Sequence, residues 1–403
     1  MRNPFRRTSA TSAHGRHRRQ PVRRLHVTLG AVVVVVLVAG GWTATTLQTT
    51  RTVGASPTSA PRPALPAPPP TTAPPPLSVT ALTPVSGTKD VSPSAPIDVT
   101  FSAPLNPSSA TPQLEPSWPG QWTHTAPNVL RFTPASPFPP GAPITVTVPS
   151  GPHGTDGATL PAPVTTKFTV AVGSTLRLQQ LLAATGYLPL TWTPTAAAPA
   201  PGDVVGQAAA AAAPPAGNFA WTSPGWPTSL TTLWQAGSAN LITRGAVMAF
   251  ESAHQLTSDG VAGPHLWTSL LASVAAGQTN TAGYTYAVAN KAGSETLTVW
   301  HNGAVAVRTA ANTGISAAPT VDGTFPVYER LRRQIMKGAN PDGSAYADPV
   351  EWVAYFNGGD AVHYIPRSSF GFPQSLGCVE VPYAAGAQAW PLLTYGTLVT
   401  VAG

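Results

Sequence analysis

The sequence predicts a multidomain chain dominated by β-structure: an antiparallel β-sandwich, a small α-helical module and a β-rich C-terminal domain. Three observations predict it. Short alternating apolar runs, bounded by Pro, Gly and Ser clusters, fill residues 77–172. Helical spacing replaces them over 174–275, and alternation returns over 283–403. The composition agrees, because only 9% of the 403 residues are charged while 47 are Pro and 36 are Gly, which disfavours long solvent-facing helices.

The N-terminal segments read in order. Residues 1–24 carry eight arginines and no acid, the first acidic residue of the chain being Asp90. Removing those eight from the 22 basic residues leaves 14 against 15 acidic ones, so the formal charge of +7 belongs to the tail. A basic groove for phosphates is thereby excluded, and no nucleic-acid partner is expected. Residues 25–47, LHVTLGAVVVVVLVAGGWTATTL, are uncharged over the length a membrane helix needs. Arginines on one side make 1–24 a cytoplasmic tail, 25–47 a transmembrane helix or signal anchor in the cytoplasmic membrane, and 48–403 external. Cleavage as a signal peptide, giving a secreted protein, is the competing reading. Residues 48–76 are a Pro-rich linker, too poor in bulky apolar residues to order itself around a core.

The sandwich expected over 77–172 rests on IDVTF (97–101), NVLRFT (128–133), ITVTV (144–148) and TTKFTV (165–170). Its opening, LTPVSGTKDVSPSAPIDVTFSAPL, resembles bacterial Ig-like domains. In 174–275, STLRLQQLLAATGYLPL and ITRGAVMAFESAHQLTSDGVAGPHLWTSLL are helical in pattern, separated by a Pro/Ala-rich insertion at about 193–230. Gln179, Gly186, Tyr187, Ala246, Val247, Phe250, Asp259, Gly260, Gly263, Trp267 and Leu270 fall where a small three-helix peptidoglycan-binding module has its signature. That resemblance implies a wall polymer as partner, and Glu251 stands where the module often has Gln.

Over 283–403, Asn302-Gly303 between two alternating runs is a hairpin signal. The domain also holds Cys378, the one cysteine of the chain. A lone cysteine in an exported chain cannot pair internally, so it is either an inert buried residue or a reactive thiol. A nucleophile needs a base, a group orienting the base and donors for an oxyanion. His363 precedes Cys378 by fifteen residues, at the end of the strand-like run WVAYF that is expected to fix it, with Gly371 and Gly377 permitting tight turns between. Zinc-type cysteine pairs, H-E-x-x-H and phosphate-binding loops are absent, so neither metal nor cofactor is expected.

With these residues assembled, 283–403 resembles the YkuD-type L,D-transpeptidase catalytic domain, whose signature is a His, a loop and then S-H-G-C. His363, Gly371, Ser375, Gly377, Cys378 and Val379 match, and NTGISAAPTVDGTFPV (312–327) resembles an upstream family segment through Gly314, Pro319, Thr320, Gly323 and Phe325. Leu376 stands in place of the second motif histidine, and Glu380 in place of the usual Arg or Asn. The resemblance implies Cys378 as nucleophile, His363 as general base, the Gly377 backbone amide as oxyanion donor and the Tyr364 carbonyl as the group orienting His363. It also implies Ser375, Trp352, Tyr355 and Arg367 as substrate-binding residues, although aromatic residues on strands also serve as core. The implied reaction is acyl transfer from peptidoglycan tetrapeptide stems, with release of D-Ala and a 3→3 cross-link. Water as acceptor gives an L,D-carboxypeptidase, and loss of activity gives a wall-binding scaffold. An activated thiolate predicts alkylation well below the pH at which free cysteine reacts.

Overall fold

The computed structural model describes residues 74–403; the expected basic tail, membrane segment and most of the linker lie outside the described residues. Among the described residues no helix is long and apolar enough to cross a membrane.

The first part is an antiparallel sandwich. Strands β1 (Val79–Thr83), β2 (Ile97–Phe101), β3 (Gln113–Glu115), β4 (Gly120–Ala126), β5 (Val129–Pro134), β6 (Pro143–Val148) and β7 (Val164–Thr169) form sheets of order β1-β2-β5-β4 and β3-β6-β7. In β2, Ile97, Val99 and Phe101 are buried while Asp98 and Thr100 between them are not, which is the period-2 alternation of a strand with one face on a core. On the outer face Asp98 lies opposite Arg131 of β5 and accepts from its Nε at 2.7 Å.

The middle part consists of α1 (Thr175–Ala184), β8 (Leu190–Pro194), α2 (Val204–Ala212), β9 (Gly217–Trp221), α3 (Thr228–Thr231), α4 (Leu241–Ala253) and α5 (Pro264–Ala275). Each long helix starts at a recognisable cap: Ser174 Oγ accepts the Leu176 N–H at 3.2 Å, Asn240 Oδ1 accepts the Thr243 N–H at 2.9 Å, and α5 opens with Pro264. The expected insertion is a built element. β8 and β9 pair as an antiparallel ribbon, and α2, capped by Asp203, follows β8 and precedes β9 in the chain. The alanine run 208–213 reads as low complexity in sequence because small side chains carry little periodicity, yet Ala208, Ala210 and Ala211 are buried.

The C-terminal part contains β10 (Thr285–Asn290), β11 (Thr296–His301), β12 (Ala304–Ala310), β13 (Gly323–Pro326), β14 (Glu329–Ala339), β15 (Ala345–Asn357), β16 (Asp360–Tyr364), β17 (Val379–Val381), α6 (Tyr383–Ala389) and β18 (Leu398–Ala402). One sheet has the order β12-β11-β10-β18-β13 and the other β14-β15-β16-β17, with Leu297, Val299, Phe356, Val362, Val379 and Val399 sharing the core between them. Asn302 and Gly303 turn the β11–β12 hairpin with φ of 51° and 83°, the paired positive values of the tight turn that Asn-Gly favours. The last strand does not sit at an edge: β18 runs parallel to β10 and antiparallel to β13 in the middle of its sheet.

The helices are not a separate bead. Tyr286 of β10 and Leu398 of β18 belong to the same buried cluster as Leu182, Phe250, Trp267 and Leu270. The contact is close enough to require glycine, since a Cβ at Gly396 would lie 2.0 Å from the Gly245 carbonyl oxygen.

Candidate active site

Sheet geometry brings His363 and Cys378 to one face. β16 and β17 run parallel, with Val362 opposite Val379, His363 opposite Glu380 and Tyr364 opposite Val381. Side chains alternate along a strand, so Val362, Val379 and Val381 enter the core while His363 and Glu380, with Cys378 two residues earlier, take the opposite face. A cavity of about 530 Å³ opens there, and Tyr355, Asp360, His363, Arg367, Leu376 and Cys378 line it. The β14–β15 hairpin contributes Met336, Lys337, Tyr346 and Asp348. His363 is not on the WVAYF strand: that run lies in β15, and the chain turns at 358–359 to put His363 on β16.

The cysteine loop is held from below by the 312–320 segment. Asn312 bridges to Glu380, and Gly314 to Ser375. Ser375, 1% exposed, donates its hydroxyl to the Cys378 carbonyl at 2.6 Å, and Thr320 Oγ1 accepts the Gly314 N–H at 2.8 Å. Glu295, buried on the far side, accepts the Thr313 N–H at 2.5 Å and its hydroxyl at 2.7 Å. Gly377 has φ +116°, and a Cβ there would meet Asp360 Oδ1 at 2.5 Å, so the turn into the cysteine admits glycine for two reasons.

The resting electrostatics differ from the expectation of an activated thiolate. Burial, together with the nearby carboxylates of Asp360 and Glu380, pushes the Cys378 thiol up to about 12, against a smaller opposing effect of the Ala361 N–H. Burial also lowers His363 below the usual imidazole range, outweighing the Tyr364 carbonyl and Glu380, which favour the charged ring. Both shifts favour the neutral thiol and the neutral imidazole at rest. The thiol points toward the Gly359 carbonyl at 3.8 Å, and His363 Nδ1 is buried without a hydrogen-bond partner. Such a pair acts by moving the proton as the S–C bond forms, and hydrogen bonds of catalytic pairs commonly tighten only with substrate in place.

With the fold and cavity described, comparison with known proteins locates two domains. Residues 284–401 match the L,D-transpeptidase catalytic domain. Residues 71–170 match the bacterial Ig-like domain. Solved structures similar to the chain include an L,D-transpeptidase from Mycobacterium smegmatis, at 14% identity over 81% of this chain and 99% of that one, with a TM-score of 0.27. L,D-transpeptidase 3 from Mycobacterium tuberculosis is 13% identical over 80% of this chain and 98% of its own, TM-score 0.27. The catalytic domain of the E. faecium L,D-transpeptidase is 25% identical over 29% of this chain and 95% of its own, TM-score 0.27. No curated protein matches the chain. Neither matched segment covers the helices of 174–275, so the likeness of that region to a peptidoglycan-binding module stays an expectation.

Within the transpeptidase domain the expected residues divide. His363, Cys378, Tyr355 and Arg367 line the cavity; Tyr355 donates its hydroxyl to Gln334 Oε1 at 2.8 Å. Trp352 does not reach it. Its ring lies under the Arg332 guanidinium at 3.6 Å and against Tyr383 and Trp390, on the face of β15 opposite Tyr355. Ser375 is buried as a brace of the loop and offers no surface to substrate. The Gly377 N–H, expected as an oxyanion donor, is taken by Ser375 Oγ at 3.3 Å, a long bond that a stronger acceptor can displace. The Tyr364 backbone favours the charged His363 ring, yet Nδ1 has no hydrogen bond of good geometry to it. Arg367 is already engaged, its Nε and Nη2 donating to the two oxygens of Glu380 at 2.8 and 2.5 Å. Sequence reading missed Asp360, Glu295 and this ion pair, because each depends on a side-chain contact that no local pattern marks.

Proposed function

We propose that the protein is a peptidoglycan L,D-transpeptidase that forms 3→3 cross-links. The observation that carries this reading is the shared face: His363 on β16 and Cys378, just before the parallel strand β17, open into one cavity in a domain of the L,D-transpeptidase type. Cys378 Sγ attacks the carbonyl between the third residue of a tetrapeptide stem and its terminal D-Ala, while His363 takes the thiol proton. The tetrahedral intermediate collapses, the C–N bond breaks, and the imidazolium returns the proton to the departing D-Ala amine. An amine of a second stem then attacks the thioester, His363 again carries the proton, and the thiol is regenerated. Removing water on substrate entry strengthens the attraction between nascent thiolate and imidazolium, which offsets the raised thiol and lowered imidazole of the resting site. Outside the domain, the reading places 48–403 beyond the cytoplasmic membrane, anchored by 25–47 or released by cleavage, with the helices of 174–275 held against the wall polymer.

The test is intact mass of the full-length protein after incubation with disaccharide-tetrapeptide, beside Cys378→Ala, with small products analysed in parallel. The expected result is an acyl adduct on the wild type alone, free D-Ala and 3→3 dimers. Tripeptide without dimers makes it an L,D-carboxypeptidase. A folded protein that binds wall but gives neither adduct nor D-Ala is a scaffold, a reading that Leu376, Glu380 and the neutral resting thiol favour.

A further inference from the structure

The ion pair on the cavity wall has features of a built recognition element. Glu380, whose side chain is 4% exposed, is the register partner of His363, and both its oxygens are held by Arg367, while Asn312 Nδ2 lies 3.4 Å from Oε2. Asn312 is itself fixed, accepting the Gly371 N–H at 3.0 Å through Oδ1. A two-point fork sets the plane of a guanidinium as well as its position. Arg367 spends Nε and Nη2 on this fork. Its Nη1 has no protein acceptor among the described residues, and the side chain, 31% exposed, lines the same cavity as Cys378.

Overall charge does not make this cavity an anion trap, since Asp348, Asp360 and Glu380 line it against Lys337 and Arg367. What remains is a donor whose plane is set by the fork, on the wall of the cavity that Cys378 also lines. An N–H group of this kind selects by geometry: it rewards a carboxylate placed in line with it and gives an amide or a missing group no comparable bond.

We propose that Arg367, clamped by Glu380, reads a carboxylate of the acyl donor beside the scissile bond, which deepens the transpeptidase reading and rests on it. Arg367 is the specificity-determining residue and Glu380 its positioning residue. A tetrapeptide stem offers two such groups, the α-carboxylate of the leaving D-Ala and a side-chain carboxylate on the third residue. Both present the same chemistry to Nη1.

The experiment compares four disaccharide-tetrapeptides on the full-length protein: both carboxyls free, the leaving residue amidated, the third side chain amidated, and both amidated. The readout is D-Ala or D-alaninamide release, as kcat and KM separately. The expected result is a loss of about 10- to 100-fold in kcat/KM for one of the two singly amidated stems, mostly in KM, and the affected stem names the carboxylate. The double variant Arg367→Met with Glu380→Gln removes both charges together, leaving none buried and unpaired, and should collapse that preference toward one. Arg367→Lys keeps the charge without the fork and should not restore it, which reads the same ratio if the double variant unfolds. The proposal is overturned by a wild type that treats all four stems alike, by a double variant that keeps the preference, or by Lys337→Met abolishing it. Absence of release from every stem instead overturns the transpeptidase reading itself.

Discussion

Cys378 is the only thiol of the chain, so its ionisation can be measured without altering the protein. Perturbing pH alone tests the resting electrostatics. Moving a thiol from 9.0 to about 12 lowers the thiolate fraction at neutral pH by roughly a thousandfold. A more basic thiolate is also a better nucleophile, by about 16- to 32-fold over that interval for a Brønsted coefficient of ~0.4–0.5. The net expectation is alkylation about 30- to 60-fold slower than the same cysteine in urea-unfolded protein near pH 7.5. The assay is the second-order rate with iodoacetamide from pH 6 to 11, followed by intact mass. In the folded protein the rate should keep climbing tenfold per unit through pH 10, whereas the unfolded reference flattens near its own pKa. Asp360→Asn should speed the folded reaction by removing one of the carboxylates that disfavour the thiolate. A folded rate above the unfolded one at pH 7, flattening below pH 8.5, would mean that a thiolate-imidazolium pair exists at rest and would refute the argument from burial.

Two further outcomes follow from packing. Burial, aided by the Asp259 side chain and opposed by the backbone N–H groups of Gly260, at 2.9 Å, and Asp259, raises the Glu251 carboxyl to about 7 from 4.5. Its contribution to stability is thus present below about 4.5 and lost as pH rises through about 7, so Glu251→Gln should leave stability near pH 4.5 little changed and raise it at pH 8 by about 1–2 kcal/mol, read from urea titrations at both values. Gly396→Ala drives a methyl into the Gly245 carbonyl at a residue with φ +79°, and should cost about 2–4 kcal/mol, with helices and transpeptidase domain melting in one transition because they share a core.

The pairing of Cys378 with His363 at one cavity was legible in the sequence because it rests on residue types at short spacing. A single cysteine, a histidine fifteen residues before it and glycines in between are all local facts. So were the alternating strands of the sandwich, where IDVTF coincides with β2, and the Asn-Gly hairpin. The insertion at 193–230 gave no element in the sequence because Ala and Pro carry no periodicity, although α2 and the β8–β9 ribbon are built from that stretch and the residues flanking it.

The sequence by itself determined which faces of strands and helices are apolar, where the chain turns, and that one thiol is available. Only the tertiary structure decided what those faces meet. β18 becomes a central strand because it pairs in parallel with β10 from more than a hundred residues earlier, and that pairing carries Leu398 and Tyr286 into the helical core. The parallel register of β16 with β17 sets His363 beside Glu380, and a loop residue, Arg367, then satisfies the buried carboxylate. On β15 the ring of Trp352 is taken up by Arg332, Tyr383 and Trp390, whereas Tyr355 faces the cavity. The physical reason is common to all three. Local pattern fixes the period of a side chain's direction, but burial, ion pairing and desolvation depend on the partner brought from elsewhere in the chain, and those set the charge state of Cys378 and His363.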